Sequence, residues 1–330
     1  ATICDLVPLN AINRSFVKQG LKVLNSETKN KGLTTLINEA KIKQEISEYH
    51  LGYVLGPRIN AGGRMGESYL SFNLLSSPNI HIAAQYSSVI NGKNQERQKI
   101  QTSIINTINN NVEDNQNLIN FFYDPTWHIG VLGIIAGRLM RSNKRPSFVM
   151  TDSENFIVGS GRSLGGLNIG TLMMEAADKG IIIKGGGHTK ACGFTLEKKS
   201  WEPFKLFLLD KFTGSTTIQE NFYELLLDLT LINNNLLNDL NLLSPFGQNN
   251  PEPIFKSENV KIEIVNVFKD KHIKCKLSDQ LGNSVIGMMF DSNVESFKSY
   301  ITLKNDFDCY YKVKRDTYSA QVIVHIEDIH

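Results

Sequence analysis

The sequence predicts an α/β protein that ends in an all-β domain. Three patterns carry this. Apolar runs alternate with helical spacing between Leu118 and Asp178, a long stretch almost free of breakers precedes them, and beyond Phe255 the period changes to that of short strands. With 330 residues the chain has material for two or three domains with buried cores.

Thr2 to Leu9 reads as a buried strand closed by a turn at Pro8, and it holds one carboxylate, Asp5. A carboxylate inside an apolar run has to be paired, hydrogen-bonded or metal-bound, unless it serves as a turn or capping residue. Asn13 to Leu24 and Leu33 to Lys41 have the spacing of amphipathic helices. Leu55 to Gly66, L-G-P-R-I-N-A-G-G-R-M-G, reads as a loop. Its small residues let the backbone approach a ligand, and Arg58 and Arg64 suit bidentate phosphate contacts. The same arginines could instead pair with carboxylates at a domain boundary. From Asn79 to about Asp114, Ile80, Ala83, Ala84, Ile100, Ile104, Ile105 and Ile108 recur at helical spacing, which predicts a helix joining two domains. Lys93 to Lys99 reads as its solvated face, or as the border of a nucleic-acid channel.

A second α/β unit follows: a strand over Leu118 to Tyr123, a helix over Val131 to Met140, and strands at Pro146 to Met150 and Phe156 to Val158. Gly133 and Gly137, at i and i+4, allow that helix to pack closely on the sheet. Trp127 and His128 precede it, as a cap and staple or as a group facing an anion. The last strand enters G-S-G-R-S at Gly159 to Ser163, then a helix over Leu167 to Asp178, then G-G-G-H at Gly185 to His188. Glycines remove the Cβ atoms that keep a phosphate from backbone N–H groups, so two such turns predict an oxyanion cradle with Ser160, Arg162, His188 and Lys190 at hand. The simpler alternative is that these glycines only make tight turns.

Trp201 to Phe212 has helical spacing, Thr213 to Thr217 is a polar break, and Tyr223 to Leu243 reads as a strand and a helix. A Pro/Gly/Asn-dense connection, Leu243 to Phe255, marks a boundary. Strands at Val260 to Phe268, His272 to Leu277, Ser284 to Met289, Asp308 to Val313 and Tyr318 to Ile326 suit a small barrel of the OB type. Within it Tyr310, Tyr311, Lys312, Lys314, Arg315 and Tyr318 interleave aromatic and basic groups, fit either for single-strand contact or for ordinary barrel packing.

Net charge is +2, and residues 1–220 hold 24 Lys and Arg against 18 Asp and Glu, too small an excess to argue for nucleic acid by itself. Four cysteines far apart, without C-x-x-C, give neither a zinc knuckle nor a disulfide framework. No run reaches the roughly 18 apolar residues of a membrane span, and no signal peptide is visible, so a soluble cytoplasmic protein is expected. The chain opens at Ala1 directly on an apolar run, as expected for a piece of a longer protein.

In this order A-T-I-C-D-L-V-P-L, L-G-P-R-I-N-A-G-G-R, W-H-I-G-V-L-G-I-I-A-G-R-L, G-S-G-R-S, G-G-G-H-T-K-A-C-G and P-F-G-Q-N-N-P-E-P-I-F resemble the RecJ single-stranded-DNA exonucleases of the DHH phosphoesterase superfamily. The resemblance covers nearly the whole chain. It implies a 5′-to-3′ exonuclease of DNA repair and recombination that uses two manganese or magnesium ions. The implied organisation is the end of an α/β catalytic domain (1–78), a linking helix (79–115), a DHH-associated α/β phosphate-binding domain (116–220), a connecting segment (221–255) and an OB-type nucleic-acid-binding domain (256–330).

Carried over by resemblance, Asp5 matches the last metal-binding carboxylate of the catalytic domain. Arg58, Asn60 and Arg64 match the arginine-bearing loop that faces nucleic acid. Ser160, Gly161 and Arg162 match the 5′-phosphate pocket, and Gly186, Gly187 and His188 the turn that completes it, with His188 counted beside Asp5 as catalytic. Tyr310, Lys312 and Arg315 are the expected barrel contacts. Implied partners are single-stranded DNA with a 5′ end, a single-strand-binding protein and a helicase, with the protein a monomer and no membrane.

The family's earlier acidic motifs and its Asp-His-His triplet do not occur in these 330 residues. The remaining metal ligands are therefore expected upstream, and the chain alone is expected to be inactive. Gly66 and the A-G-G at Ala61 to Gly63 stand where the family more often has an acidic residue and A-A-G. Two other readings stay open: a DHH phosphoesterase acting on short oligonucleotides or cyclic dinucleotides, and a non-catalytic nucleic-acid-binding module.

Overall fold

The computed structural model describes residues 1–26, 30–111, 118–213, 222–290, 292–316 and 319–330. They gather into two compact units, residues 23–219 and residues 1–22 with 220–330.

Helix α1 (Ala11–Leu24) follows the predicted amphipathic pattern, and α2 (Lys31–Glu39) is capped by Asn30, which accepts from Leu33 N at 3.1 Å. The segment read as a loop is helical instead: a π turn over His50–Leu55 runs into α3 (Gly56–Arg64). Pro57 has no N–H and its ring crowds the carbonyl one turn back, so the helix widens before it. Arg58 turns its guanidinium onto the loosened backbone, donating to Val54 O at 2.8 Å. Gly66, at φ +86°, then leaves the helix in a conformation that a side chain would strain.

Beyond α4 (Tyr69–Leu75), α5 (Ile80–Asn111) runs for 32 residues. The predicted extension over 112–114 lies outside the described residues. Ala83, Ser87, Ile90, Asn94 and Arg97 form one buried stripe at three- and four-residue spacing. Further along, Ile104, Ile105 and Ile108 join a second core. The solvated face expected over 93–99 is therefore only partly exposed. Asn94 and Arg97 are 1% and 8% exposed because they continue the stripe begun by Ala83 and Ile90.

The α/β part comprises β1 (Asn120–Tyr123), α6 (Leu132–Asn143), β2 (Ser147–Ser153), β3 (Phe156–Arg162), α7 (Ile169–Asp178), β4 (Lys184–His188), β5 (Ala191–Glu197) and α8 (Trp201–Thr213). Strand order is β1-β2-β3-β5-β4, with only β1 and β2 parallel. One face buries Phe148, Met150, Phe194 and Leu196 against Ile169, Met173, Phe204 and Leu208 of α7 and α8. On the other, Val149 meets α6 and the end of α5.

Both glycine-rich segments, read as turns, are strands. Their glycines make room for the core. A Cβ on Gly161 would stand 2.6 Å from Phe148 Cε1, one on Gly159 2.7 Å from Met150 Cγ, and one on Gly185 2.7 Å from Ile182 Cδ1.

In the other unit, Thr2 to Leu9 forms turns and not a strand. Asp5 N donates to Ala1 O at 2.8 Å, Leu6 takes φ +54°, and Leu9 N reaches Gln248 O at 2.7 Å. The segment closes its hydrogen bonds locally, so Asp5 is exposed and needs no buried partner. After β6 (Leu225–Leu226) comes α9 (Asn234–Leu243), whose last carbonyls are capped by Arg14. Its guanidinium donates to Leu242 O, Leu243 O and Ser244 O at 3.2, 2.8 and 3.0 Å.

Strands β7 (Phe255–Phe268), β8 (His272–Ser278), β9 (Ser284–Met289), β10 (Phe307–Arg315) and β11 (Val322–Ile329) close a barrel in the order β7-β8-β9-β11-β10-β7, with β9 and β11 parallel. The last strand starts at Val322, and Tyr318 lies outside the described residues. Three elements had no sequence counterpart, α4, β5 and α10 (Val294–Ile301), the last of which is capped by Asn293 and sits between β9 and β10. Tyr311 points into the barrel, fully buried, with its hydroxyl 2.6 Å from Ser257 Oγ, which removes it from the aromatic and basic strip.

The barrel has a built-in acid sensitivity at His325, whose ring packs 4.9 Å from that of Phe290. Burial first, then Lys314 and Lys312, push its pKa down to about 4. The folded pKa lies below the unfolded value near 6.5. His325 therefore contributes stability that is full above about pH 6.5 and is lost as pH falls toward 4. Urea midpoints measured between pH 7 and pH 4.5 should decline less steeply in His325→Gln than in the parent. An identical slope in the two proteins would show that His325 does not carry it.

Candidate functional site

The site is built on β3. Side chains alternate along a strand, so Gly159 and Gly161 face the aromatic core while Ser160 and Arg162 face α6. Residues paired across neighbouring strands share a face, and the registers give two rows: Ser160–Gly193–Gly186 and Arg162–Ala191–His188. A Cβ on Gly186 would meet nothing within 4 Å, and one on Gly193 only Gly159 O at 3.8 Å. The floor between Arg162 and His188 is thus glycine and alanine, open above β5 and β4. A hollow of about 320 Å³ lies farther along the β4–β5 pair, bordered by Lys184, Gly185, Gly186, Gly193, Phe194 and Thr195, so it adjoins the Ser160–Gly193–Gly186 row and not the Arg162–Ala191–His188 row.

Arg162 is held under α6. Its Nη1 donates to Ser160 Oγ at 3.0 Å and to Gly161 O at 2.8 Å, and Ser160 Oγ donates to Cys192 O at 3.1 Å. Gly133 makes this possible: a Cβ there would stand 3.0 Å from Arg162 Nη2 and 3.2 Å from Ser160 Oγ. The close packing expected of Gly133 and Gly137 therefore serves to seat this guanidinium. Burial pushes the pKa of Arg162 down, Cys192 acts the other way, and Arg64 pushes it down further.

Arg64 closes the site from α3. Its Nη1 donates to Gly130 O at 3.3 Å, and Gly130 packs directly on the Arg64 backbone. His128 shapes that loop as a cap, its Nδ1 accepting from Gly130 N at 3.1 Å, which leaves the ring proton on Nε2. Arg58 is tied elsewhere: Nε donates to Asn91 Oδ1 at 3.1 Å, and Asn91 Nδ2 donates to Glu39 Oε1 at 3.0 Å. Of the two arginines of α3, Arg64 is the one that stands beside Arg162. Asn60 is exposed on the same helix.

The predicted backbone cradle needs correction at β3. This strand is laddered on both sides, to β2 and to β5, so the Gly161 backbone is engaged in the sheet. β3 offers an anion side chains, not main-chain N–H groups. Gly187 takes φ +155° and lies against the start of α7, where a Cβ on Gly170 would be 2.5 Å from Gly187 C. His188 is exposed at the end of edge strand β4.

A profile of the DHHA1 domain matches residues 115–212, and one of the RecJ OB domain matches residues 223–328. The single-stranded-DNA-specific exonuclease RecJ of Escherichia coli K12 is 28% identical over 319 residues, 88% of this chain and 53% of that protein. Its namesake in Bacillus subtilis 168 is 32% identical over 292 residues, 84% of this chain and 36% of that protein. The chain belongs to the RecJ family.

It spans about half the length of the Escherichia coli relative. The crystal structure of RecJ with Mn²⁺ from Thermus thermophilus matches at a TM-score of 0.85 and 23% identity, over 100% of this chain and 48% of that one, a likeness of fold. Tyr310, Lys312 and Arg315, the residues expected to contact nucleic acid, lie on β10 within the segment that matches the RecJ OB domain. Tyr310 lies near Tyr223 and His330, with ring centroids 6.0 and 5.5 Å away, and Lys256 Nζ is 5.7 Å from its centroid. Lys312 pairs with Glu327 at 2.8 Å and Lys314 with Glu252 at 2.5 Å. Arg315 is exposed and donates to Ala320 O at 3.0 Å. No helix among the described residues is long and apolar enough to cross a membrane.

Two residues of this candidate site escaped the sequence reading. Lys184 shares the face of Gly186, a relation visible in a period of two once Lys184 to His188 is a strand. Arg97 lies near Arg64 and Arg58, each of which depresses its pKa after burial has done so. Its signal was the three- and four-residue spacing from Ile90.

Proposed function

We propose that this chain is the strand-reading portion of a single-stranded-DNA exonuclease that works from a 5′ end in DNA repair and recombination. The observation that carries this reading is the pair Arg64 and Arg162. These guanidiniums stand at a glycine-floored trough, and neither is in an ion pair with a carboxylate among the described residues. A terminal phosphate brings close to two negative charges and three acceptor oxygens, which two arginines and Ser160 Oγ suit better than a hydroxyl end. In this proposal Arg162 is the main ligand and Arg64 its partner, while Gly186 and Gly193 bound the floor under the first nucleotide and Gly187, on the core-facing row beside Cys192, backs that floor against the start of α7. His188 and Lys184 flank the strand on the far side, with His188 the candidate for contact with the reacting end. Fixing the end sets which phosphodiester is presented for hydrolysis.

Hydrolysis in this reading draws on two manganese or magnesium ions, with Asp5 proposed as one ligand. The residues present do not make up such a centre. Asp5 is an exposed turn residue, and among the described residues no group of three or more His, Cys, Asp or Glu side chains could hold a metal. No step is routed through one. The OB barrel is proposed to guide the strand by Tyr310, Lys312 and Arg315. The division at 78, 115, 220 and 255, a cytoplasmic monomer, and a single-strand-binding protein and a helicase as partners are further parts of this proposal. The barrel disfavours the alternative of a short-oligonucleotide or cyclic-dinucleotide phosphoesterase, since a small substrate needs no guiding domain.

Binding of the 330-residue chain to matched single strands with a 5′ phosphate or a 5′ hydroxyl, at stated salt, tests the reading. About tenfold or greater preference for the phosphate is expected from a charge-assisted contact. Equal affinities would remove the end-reading role.

A further inference from the structure

The stripe that α5 buries is polar where an ordinary helix core is apolar. Ser87, Asn94 and Arg97 are 1%, 1% and 8% exposed, and Ser87 Oγ, Asn94 Oδ1 and Arg97 Nε have no hydrogen-bond partner among the described residues. Arg97 is the exceptional member, because a guanidinium stays charged and cannot escape its burial by losing a proton. Its charged neighbours aggravate this. After burial, the groups that act on it are Arg64 and Arg58, both cations.

No carboxylate among the described residues is in an ion pair with Arg97, and of Glu39 and Glu67 only Glu39 acts on Arg58. Glu67 pairs with Lys93 at 2.6 Å, and Glu39 accepts from Asn91 at 3.0 Å. A buried arginine among arginines, with an orphaned N–H, is costly to keep in the absence of an anion. Arg58 and Arg97 stand on two helices that pack against each other, α3 and α5, and Arg58 Nε reaches Asn91 of α5 at 3.1 Å.

We infer that Arg97, with Arg58 on the helix packed against its own, holds an internal backbone phosphate of the bound strand, inward of the terminal phosphate at Arg162. The inference rests on the proposed reading of the Arg162 site. It adds a second phosphate subsite, formed by α5 and α3, to the one formed by β3 and α3. Arg58 is held in place for this role by Asn91 and by the Val54 carbonyl, and Arg97 by its burial in the stripe of α5.

The test uses the 330-residue chain and 5′-phosphorylated single strands in which one linkage at a time is a neutral methylphosphonate. In the parent protein, neutralising one of the first internal linkages should weaken binding about tenfold or more, the scale of a charge-assisted contact. In Arg97→Met that sensitivity should vanish, and the slope of log affinity against log salt should fall by about 0.7 in magnitude, one phosphate contact on a single strand. The preference for a 5′ phosphate over a 5′ hydroxyl should remain. Arg162→Ala should do the opposite, keeping the linkage sensitivity and losing the end preference.

Unchanged linkage sensitivity in a folded Arg97→Met protein would overturn the inference. Should that variant not fold, the parent scan decides alone, because absence of any sensitive internal linkage overturns it equally. A parent protein that shows the linkage effect without an end preference would refute the terminal-phosphate reading and leave Arg97 standing.

Discussion

Arg162→Ala is expected to bind 5′-phosphorylated and 5′-hydroxyl strands alike, with a loss of about 10- to 100-fold on the phosphorylated strand and little on the other. The magnitude is that of a hydrogen bond to a charged group, about 1.5–3 kcal/mol. The selectivity follows from where the guanidinium sits. It is locked by Ser160 Oγ and Gly161 O at 3.0 and 2.8 Å and pressed against α6 at Gly133, so it cannot swing to follow the strand elsewhere. Arg162→Lys keeps the charge and loses the fork, and an intermediate preference is expected. Fluorescence anisotropy on matched strands at one salt concentration makes the comparison. An equal loss on both ends would show that Arg162 supplies general charge and does not read the end.

How far the site was legible follows from the same residues. Ser160, Arg162, Gly186 and His188 were visible because chemistry-bearing side chains stood among glycines, and the structure brings them to one face. What could not be seen was the purpose of the glycines. A strand with glycine at alternate positions looks like a turn until the facing core is known, and Phe148, Phe194 and Ile182 come from other parts of the chain. The strands and helices of 118–178 and the five barrel strands were legible because period and punctuation agreed, whereas β4 was read as a turn and β5 was not read at all. The π turn before Pro57 and the short helix α10 were not, one because the widening depends on backbone geometry and the other because eight residues give too little period to read. Arg97 was hidden by composition: five of the seven residues of K-N-Q-E-R-Q-K are left at least partly exposed by a helix whose buried stripe passes through only two.

The glycines themselves give the second large effect, because two of them separate packing from recognition. Gly161→Ala should lower the stability of the unit that contains it by about 1–3 kcal/mol, the usual cost of overpacking, or roughly 2–12 °C in Tm. Its Cβ would stand 2.6 Å from Phe148 Cε1 and 2.7 Å from Cys192 Sγ, both buried and both flanked by other core side chains. At temperatures where the variant is folded, its preference for a 5′ phosphate should be that of the parent, since the new methyl lies on the core face and Arg162 on the other. Gly186→Ala should behave in the reverse way. Nothing lies within 4 Å of a Cβ there, so Tm should stay within about 1 °C, the range of a surface change of a few tenths of a kcal/mol. The methyl would instead stand on the floor of the trough, where a nucleotide has to approach the backbone, and affinity for the phosphorylated strand should fall about tenfold, the loss of roughly 1.4 kcal/mol of close contact. Differential scanning fluorimetry and strand binding on the two variants give four readings. A Gly186→Ala protein that binds as the parent does would remove β4 from the site and confine recognition to β3 and α3. A Gly161→Ala protein that is stable and has lost end preference would restore a main-chain cradle at β3.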